Sequence, residues 1–174
     1  ISESALVVVK IGSSSITGEN SEQLGLVCKL AANLREQGTA VVVVSSGAIA
    51  SSAPVLGITA KATDLPTSQA MAAVGQLRLM ADYQRLLSGF NLIAGQVLLT
   101  VENMETPETR SNALQAFSRL LEMGVIPIVN ENDTVATQEI RFGDNDGLAA
   151  SVATLLGADL LILLSDVDAI YTCP

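Results

Sequence analysis

The sequence predicts a doubly wound α/β fold, in which helices cover both faces of a mostly parallel sheet. Its strand candidates are short runs that are apolar throughout, such as residues 40–45, and do not alternate apolar with polar residues. Along the chain these runs alternate with segments in which apolar residues recur at helical spacing. The chain has 174 residues, enough for one domain with a substantial core.

The composition argues against several classes of protein. Hydrophobic residues make up 49% of the chain and aromatic residues 3%, which predicts an ordered, aliphatic core. A net charge of −9 disfavours partners such as nucleic acids or anionic membranes, which need a basic surface. The apolar runs fall far short of the ~20 residues of a membrane span, and no signal peptide is visible. Cys28 and Cys173 lack metal-binding spacing, so we expect reduced thiols in a cytoplasmic protein.

The first half of the chain indicates two strands and two helices. Residues 5–12 and 40–45 are short β-branched runs typical of buried strands. The helix between them is expected to end at Gly38, and a longer helix is expected over 67–88, after an irregular loop at 53–66. The expected core-facing residues are Leu24, Val27, Leu30 and Leu34 in the first helix, and Met71, Val74, Leu77 and Ala81 in the second.

The second half adds three strands and two helices. The strands are expected at residues 91–100, 125–129 and 159–165. The helices are expected at about 107–123, with Leu114, Phe117 and Leu121 on one face, and at 146–156, with Leu148, Val152 and Leu155 on one face. A hairpin is compatible with residues 134–143.

Polar segments directly follow four of the predicted strands. They lie at residues 10–15, 45–48, 130–133 and 165–168. The carboxyl ends of parallel strands meet at one edge of a sheet, and ligands of doubly wound folds bind beyond that edge. The four segments therefore predict a binding site there.

Two of these segments, "KIGSSS" at 10–15 and "SSGA" at 45–48, place small residues directly after a strand. Small residues let backbone N–H groups approach an anion, and Lys10 adds a positive charge, so phosphate binding is one interpretation. Ordinary turns are the alternative, since neither a Walker A loop nor a Gly-x-Gly-x-x-Gly motif is present. Ser165 and Asp166 similarly suit either a nucleotide contact or a simple turn.

The stretch "NENDTVATQEIRFGDNDG", residues 130–147, carries five carboxylates and one arginine. A calcium loop starting at Asp144 is excluded, because Leu148 and Leu155 occupy positions where an EF-hand needs oxygen ligands. A transition-metal site would need histidine or cysteine. Three interpretations stay open on these residues alone: a carboxylate pair for acid and base catalysis, a pocket for a cationic group such as an amine, and a solvated acidic loop.

Together, the motifs resemble the amino acid kinase family. The matching segments run in order over nearly the whole chain: "VVVKIGSSSIT", "VVVVSSGAIA", "AAVGQLRLM", "GQVLLT", "VIPIVNENDTVAT", "IRFGDNDGLAA" and "LILLSDVDAIYT". "NENDTVAT" with "FGDND" resembles the members that phosphorylate the side-chain carboxylate of L-glutamate with ATP and Mg²⁺ on the way to proline. The resemblance implies that residues 1–174 are the N-terminal, glutamate-binding portion of one kinase domain. The rest of the ATP site, with a second phosphate-contacting lysine, is expected beyond residue 174.

The resemblance also implies individual roles for site residues. Lys10, which would contact the ATP phosphates, and Asp146 are the expected catalytic residues. The expected glutamate-binding residues are Ser46, Asp133 and Asn145. The expected nucleotide-binding residues are Lys10, Gly12, Ser13, Gly47, Ser165 and Asp166. No residue is assigned as a metal ligand, and Glu131, Glu139 and Arg141 are assigned no catalytic role.

The implied chemistry agrees with the composition. A carboxylate nucleophile is already ionised at neutral pH, so no general base is needed and a chain without histidine can perform the reaction. Asp133 and Asn145 would accept hydrogen bonds from the substrate's ammonium group. The resemblance further implies proline as a feedback inhibitor and a homodimer or homotetramer. The alternatives are a family kinase acting on acetylglutamate, aspartate or UMP, and a non-catalytic regulatory module that binds an amino acid.

Overall fold

The chain was analysed as a computed structural model that describes residues 4–16, 22–58, 62, 64–135 and 145–165. Its strands are β1 (Leu6–Ile11), β2 (Ala40–Ser45), β3 (Ala94–Leu99), β4 (Ile126–Glu131) and β5 (Leu160–Leu164). Its α-helices are α1 (Glu22–Glu36), α2 (Ala48–Leu56), α3 (Leu65–Ser88), α4 (Val101–Glu105), α5 (Pro107–Glu122) and α6 (Asn145–Leu156). The strands form one sheet in the spatial order β3–β4–β2–β1–β5, and each neighbouring pair is parallel.

β1 and β2 form the interior of the sheet. They pair without a break from Leu6 and Ala40 to Ile11 and Ser45. In both strands, the valines that point to one face of the sheet and those that point to the other are all buried, because helices cover both faces. α1 and α3 pack on the face that carries Val7 and Val9, and α5 and α6 pack on the face that carries Val8. The doubly wound fold predicted from the sequence is therefore confirmed.

The long helix is confirmed as α3, but its predicted core-facing side is wrong in part, because Met71 is buried and Val74 half-buried whereas the other two residues face outward. Leu77 is 76% exposed, and Ala81 is also exposed. The buried residues are Met71, Ala72, Gly75, Leu79, Tyr83 and Leu87. This face includes Gly75, because a small residue there lets α3 lie directly against α2. The buried face continues from Met71 through Leu79, Tyr83 and Leu87 at helical spacing, and Leu77 lies away from it.

The predicted irregular loop at 53–66 is wrong in its first part, which belongs to α2. The sequence of α2, AIASSAPVL, contains Pro54 and few large apolar residues, so it carries little periodic signal. The helix ends at Gly57, where φ is +64°, and the Ile58 N–H donates to the Ala53 carbonyl over 3.1 Å. Packing against α3 stabilises a helix that its own sequence predicts weakly.

The remaining elements agree with their predictions to within a few residues, and α4 is an additional short helix capped by Thr100. Cys28 is a free, buried thiol whose pKa is raised to about 12 by desolvation. Most of the expected hairpin (136–143), Asp166 and Cys173 lie outside the described residues. Within the described part of the chain, no helix combines the length and apolar character needed to cross a membrane.

Candidate functional site

Four strands end side by side at one edge of the sheet. Ile11 at the end of β1 is level with Ser45 at the end of β2 and with Leu164 at the end of β5. β4 pairs with β2 and ends at Glu131 on the same edge. The polar segments after these strands therefore meet as the sequence predicts, as far as the described residues extend.

Lys10 and Asp146 are in direct contact at this edge. The Lys10 Nζ lies 2.5 Å from the Asp146 Oδ1, although 136 positions separate them. The Lys10 side chain is only 7% exposed, and a buried ammonium requires an anionic partner. Asp146 lies in the first turn of α6, where the helix dipole favours a negative charge, and it keeps 42% of its side chain exposed. A Cβ at Gly12 would lie 3.8 Å from Nζ, so the glycine leaves the ammonium approachable.

The two glycine-containing loops lie against each other beside this pair. Gly47 has a φ of +98°, which favours glycine, and a Cβ there would lie 3.1 Å from Ile16 and 3.7 Å from the Cα of Ser13. The Ser46 N–H donates to the Ile11 carbonyl over 3.1 Å and so connects the end of β1 to the start of the second loop. The small residues predicted to bind phosphate are thus brought together.

A buried network of polar side chains lies under the strand ends. The Asn145 Nδ2 donates to the Ser45 carbonyl over 2.7 Å and to the Asn130 Oδ1 over 2.8 Å. The Asn130 Nδ2 donates to the Gln76 Oε1 over 2.9 Å, and the Tyr83 hydroxyl donates to the Ser45 Oγ over 2.9 Å. Burial raises the pKa of Tyr83, so its hydroxyl stays a neutral donor. These bonds join α3, α6, β2 and β4 into one support.

The network limits what Asn145 can offer a ligand. Both N–H groups of its side-chain amide donate to the protein, to Ser45 and to Asn130. Its Oδ1 is therefore the atom that a ligand can use, and this oxygen only accepts hydrogen bonds. Asn145 is suited to an ammonium group and not to a carboxylate.

A small cavity lies beside the end of β4. Its volume is about 20 Å³, room for about one water-sized group. It is lined by Ala48, Ala72, Gln76, Leu98, Glu131, Asn132, Asp133 and Thr134. Asp133, predicted to bind glutamate, is half-buried in the turn that follows β4. A small cavity therefore adjoins Asp133, with acidic and amide residues among those that line it.

A larger cavity of about 250 Å³ lies beside α4, α5 and α6, lined by Met104, Arg110, Ala150, Ser151 and Thr154. It contains none of the predicted site residues. Volume alone therefore does not identify the site. The strand-end edge is the stronger candidate because a buried cation, adjoining small-residue loops and a small cavity beside Asp133 lie there.

The structure adds Gln76 to the candidate site and gives contacts there to Asn130 and Glu131, which the sequence placed in a strand-end segment without individual binding roles. Gln76 and Asn130 belong to the buried network, and the nearly buried Glu131 lines the cavity. Gln76 follows Gly75 in "AAVGQLRLM", and the correct inward face of α3 would have placed it at the border of the core. Ser165 directly follows β5 and is exposed, which neither supports nor opposes its predicted nucleotide contact.

Comparison with known proteins found a matching family and several similar relatives. Residues 5–174 match the amino acid kinase family. The chain is 58% identical over 168 residues to a glutamate 5-kinase of Leifsonia xyli, which covers 97% of this chain and 62% of the relative. Identity is 53% over 174 residues to a glutamate 5-kinase of Clavibacter michiganensis, covering 100% of this chain and 67% of the relative. Identity to a glutamate 5-kinase of Thermobifida fusca is 51% over 175 residues, covering 98% of this chain and 45% of the relative. The chain thus spans about half to two thirds of these relatives, and it belongs to the amino acid kinase family.

Proposed function

We propose that the full-length protein transfers the terminal phosphoryl group of ATP to the side-chain carboxylate of L-glutamate and so forms L-glutamyl 5-phosphate. The observation that carries the proposal is the buried Lys10 ammonium, which lies beside the Gly12 loop at the strand-end edge and contacts Asp146. The names of the relatives support glutamate as the acceptor.

The reaction needs positioning and charge neutralisation more than proton transfer. A carboxylate oxygen of glutamate forms the new bond to phosphorus, and ADP leaves with the electron pair of the bond that breaks. The nucleophile is ionised at neutral pH, so no proton has to move. Lys10 and the backbone N–H groups of the loops around Gly12 and Gly47 would hold the phosphate oxygens.

Mg²⁺ fits this site as a companion of ATP. The described residues contain no group of three His, Cys, Asp or Glu side chains that could hold a metal. Mg²⁺ keeps several waters and is commonly bound by phosphates with one or two carboxylates, and Asp146 is a partly exposed carboxylate at the right edge. The bound ion would neutralise phosphate charge.

The site would orient glutamate along the strand-end edge. Asp133 and the Oδ1 of Asn145 would accept hydrogen bonds from the ammonium group near β4. The side-chain carboxylate would then extend past Ser46 toward Lys10 on β1. Two strand spacings, about 10 Å, separate β4 from β1, which suits an extended glutamate joined to a phosphoryl group.

Other parts of the proposal follow from the name of the relatives and from the family resemblance. The relatives' name supports a kinase that acts on glutamate, and the family resemblance supports ATP with Mg²⁺ and a role in proline biosynthesis in the cytoplasm. The family resemblance supports proline as an inhibitor and a homodimer or homotetramer.

Turnover of the full-length protein with four acceptors tests the proposal. ADP release would be measured with L-glutamate, N-acetylglutamate, aspartate and UMP, and hydroxylamine would trap any acyl phosphate. We expect kcat/KM for L-glutamate to exceed the others by about 10²-fold or more, because a site with buried polar partners rejects acceptors that leave them unsatisfied. Preference for another acceptor would identify a different kinase. Calorimetry that detects amino-acid binding without nucleotide binding would identify a regulatory module.

A further inference from the structure

The side-chain amide of Gln76 has one group without a hydrogen-bond partner in the described part of the chain. Its Nε2 is buried and has no hydrogen-bond partner among the described residues. A buried donor without a partner costs about 1–3 kcal/mol, so such a group calls for an explanation. The same side chain lines the cavity beside Asp133.

The orientation of the Gln76 amide is fixed from the backbone. The Glu131 backbone N–H donates to the Asn130 Oδ1 over 2.9 Å, and a backbone N–H can only donate. Oδ1 is therefore the acceptor end of Asn130, and its Nδ2 faces Gln76 as a donor. Gln76 must then present its Oε1 to Asn130, which leaves Nε2 as the free end.

The residues that line the cavity therefore carry both kinds of group. Gln76 carries the unpartnered amide donor, and Glu131 and Asp133 are acidic residues that also line the cavity. An α-amino acid carries an ammonium and a carboxylate on one carbon atom, so it presents one partner for each kind of group. A cavity of about 20 Å³ has room for one water-sized group such as a carboxylate oxygen.

We propose that the Gln76 Nε2 donates a hydrogen bond to the α-carboxylate of the amino-acid substrate. Gln76 then selects acceptors that carry a free α-carboxylate. This inference rests on the proposed function. The position of Gln76 suits a contact with the α-carboxylate and not with the side-chain carboxylate that reacts. Gln76 bonds to β4, whereas Lys10 is on β1, two strands away.

The test compares L-glutamate with its α-carboxamide analogue in the full-length protein. The wild type should prefer glutamate in kcat/KM. In Gln76→Glu, one carboxylate oxygen can still accept from Asn130, while the other replaces the donor and repels the substrate's carboxylate. The glutamate-to-analogue ratio of kcat/KM should fall about 10-fold or more, mainly through a higher KM for glutamate.

Two further variants separate binding from folding. Gln76→Met has similar length and no donor, and it should also lower the ratio; it carries the test if thermal unfolding shows that Gln76→Glu is not folded. Gln115→Glu makes the same chemical change at an exposed position on α5 and should leave the ratio unchanged. An unchanged ratio in folded Gln76 variants, with normal wild-type turnover of glutamate, would overturn the role of Gln76 alone. A wild type that does not phosphorylate glutamate would overturn the proposed function and this role with it.

Discussion

Lys10 is the residue on which the proposed chemistry depends most. Its ammonium is almost fully buried. Asp146, the carboxylate that it contacts in the described part of the chain, is half-exposed. A buried cation whose carboxylate partner is still reachable by solvent can stabilise a second anion that arrives from the open side. Phosphate oxygens beside the small-residue loops are such anions.

Replacing Lys10 by alanine should therefore affect turnover far more than glutamate binding. We expect kcat of Lys10→Ala to fall on the order of 10²–10³-fold, because a charge aimed at the transferring group is lost, while KM for glutamate changes little. Steady-state kinetics measures both. Lys29→Ala, on the exposed side of α1, removes the same charge elsewhere and should have no effect. Near-normal turnover in Lys10→Ala would remove Lys10 from the phosphate site.

The site was predictable from sequence only where a residue type directly signals its chemistry. Lys10, Gly12 and Gly47 stand at strand ends, and that pattern is visible in the sequence. The contact of Lys10 with Asp146 depends on where α6 begins relative to β1, which no local pattern encodes. Gln76 escaped prediction because it is marked by its Nε2 amino group, which has no partner among the described residues, and because Asn130, which donates to its Oε1, is distant in sequence.

The crossing of α2 and α3 determines the position of the second small-residue loop. A Cβ at Gly75 would overlap the backbone carbonyl oxygen of Ala48 and would lie 2.8 Å from the Ser52 backbone nitrogen. Backbone atoms of a packed helix cannot move aside as a flexible side chain can. The close approach holds the start of α2, and with it Gly47, near the Gln76 segment of α3.

Gly75→Ala should consequently destabilise the fold although alanine favours helices. We expect a loss of about 1–3 kcal/mol or more in the free energy of unfolding, measured by urea titration with circular dichroism. The matched control is Gly25→Ala in α1, where an added Cβ meets nothing within 4 Å. That change should stabilise the protein by about 0.5–1 kcal/mol. Equal effects of the two substitutions would show that α2 and α3 do not pack this closely in solution.

The elements that were predicted correctly are those whose own sequence shows a clear pattern of apolar residues. β1 and β2 are uniformly apolar because both faces are buried, and α1 shows its core side through Leu24, Val27 and Leu34. α2 was predicted wrongly because its contact with α3 is made by Gly75 and other small residues, so large apolar side chains give no indication of it. In α3, Leu77 was wrongly expected to face inward, whereas the buried face runs from Met71 through Leu79 and Tyr83.

The sheet as a whole brings distant segments together at its two edges. At the edge opposite the site, Asp159 before β5 accepts hydrogen bonds from the N–H groups of Ala5 and Leu6, over 2.7 and 2.9 Å. These bonds hold the pKa of Asp159 below its usual range. The carboxylate thereby fastens the start of β5 to the start of β1.

The contribution of Asp159 should depend on pH in a defined direction. Its folded pKa is lower than its unfolded pKa of about 3.9, so its stabilisation is present above that value and is lost as pH falls through the folded pKa. Asp159→Ala should therefore unfold at lower temperature than the wild type at pH 7, and the difference should shrink below about pH 4. Thermal unfolding at several pH values measures this.

Asp82→Ala provides the comparison for that experiment. Asp82 lies on α3 in an exposed pair with Arg85, and such pairs contribute little to stability. We expect almost no change in unfolding temperature at any pH for this variant. If the difference in unfolding temperature between Asp159→Ala and the wild type does not depend on pH, the charge of the carboxylate does not stabilise the contact between the starts of β5 and β1.

Transfer of an oxygen label tests most directly whether the substrate's own carboxylate is the nucleophile. The full-length protein would receive ATP and L-glutamate carrying oxygen-18 in both side-chain carboxylate oxygens. Hydroxylamine attacks the carbonyl carbon of an acyl phosphate and releases phosphate together with the bridging oxygen. Mass spectrometry should then find one oxygen-18 atom in each released phosphate. Unlabelled phosphate would mean that water or another group attacks ATP, and the proposed reaction would be wrong.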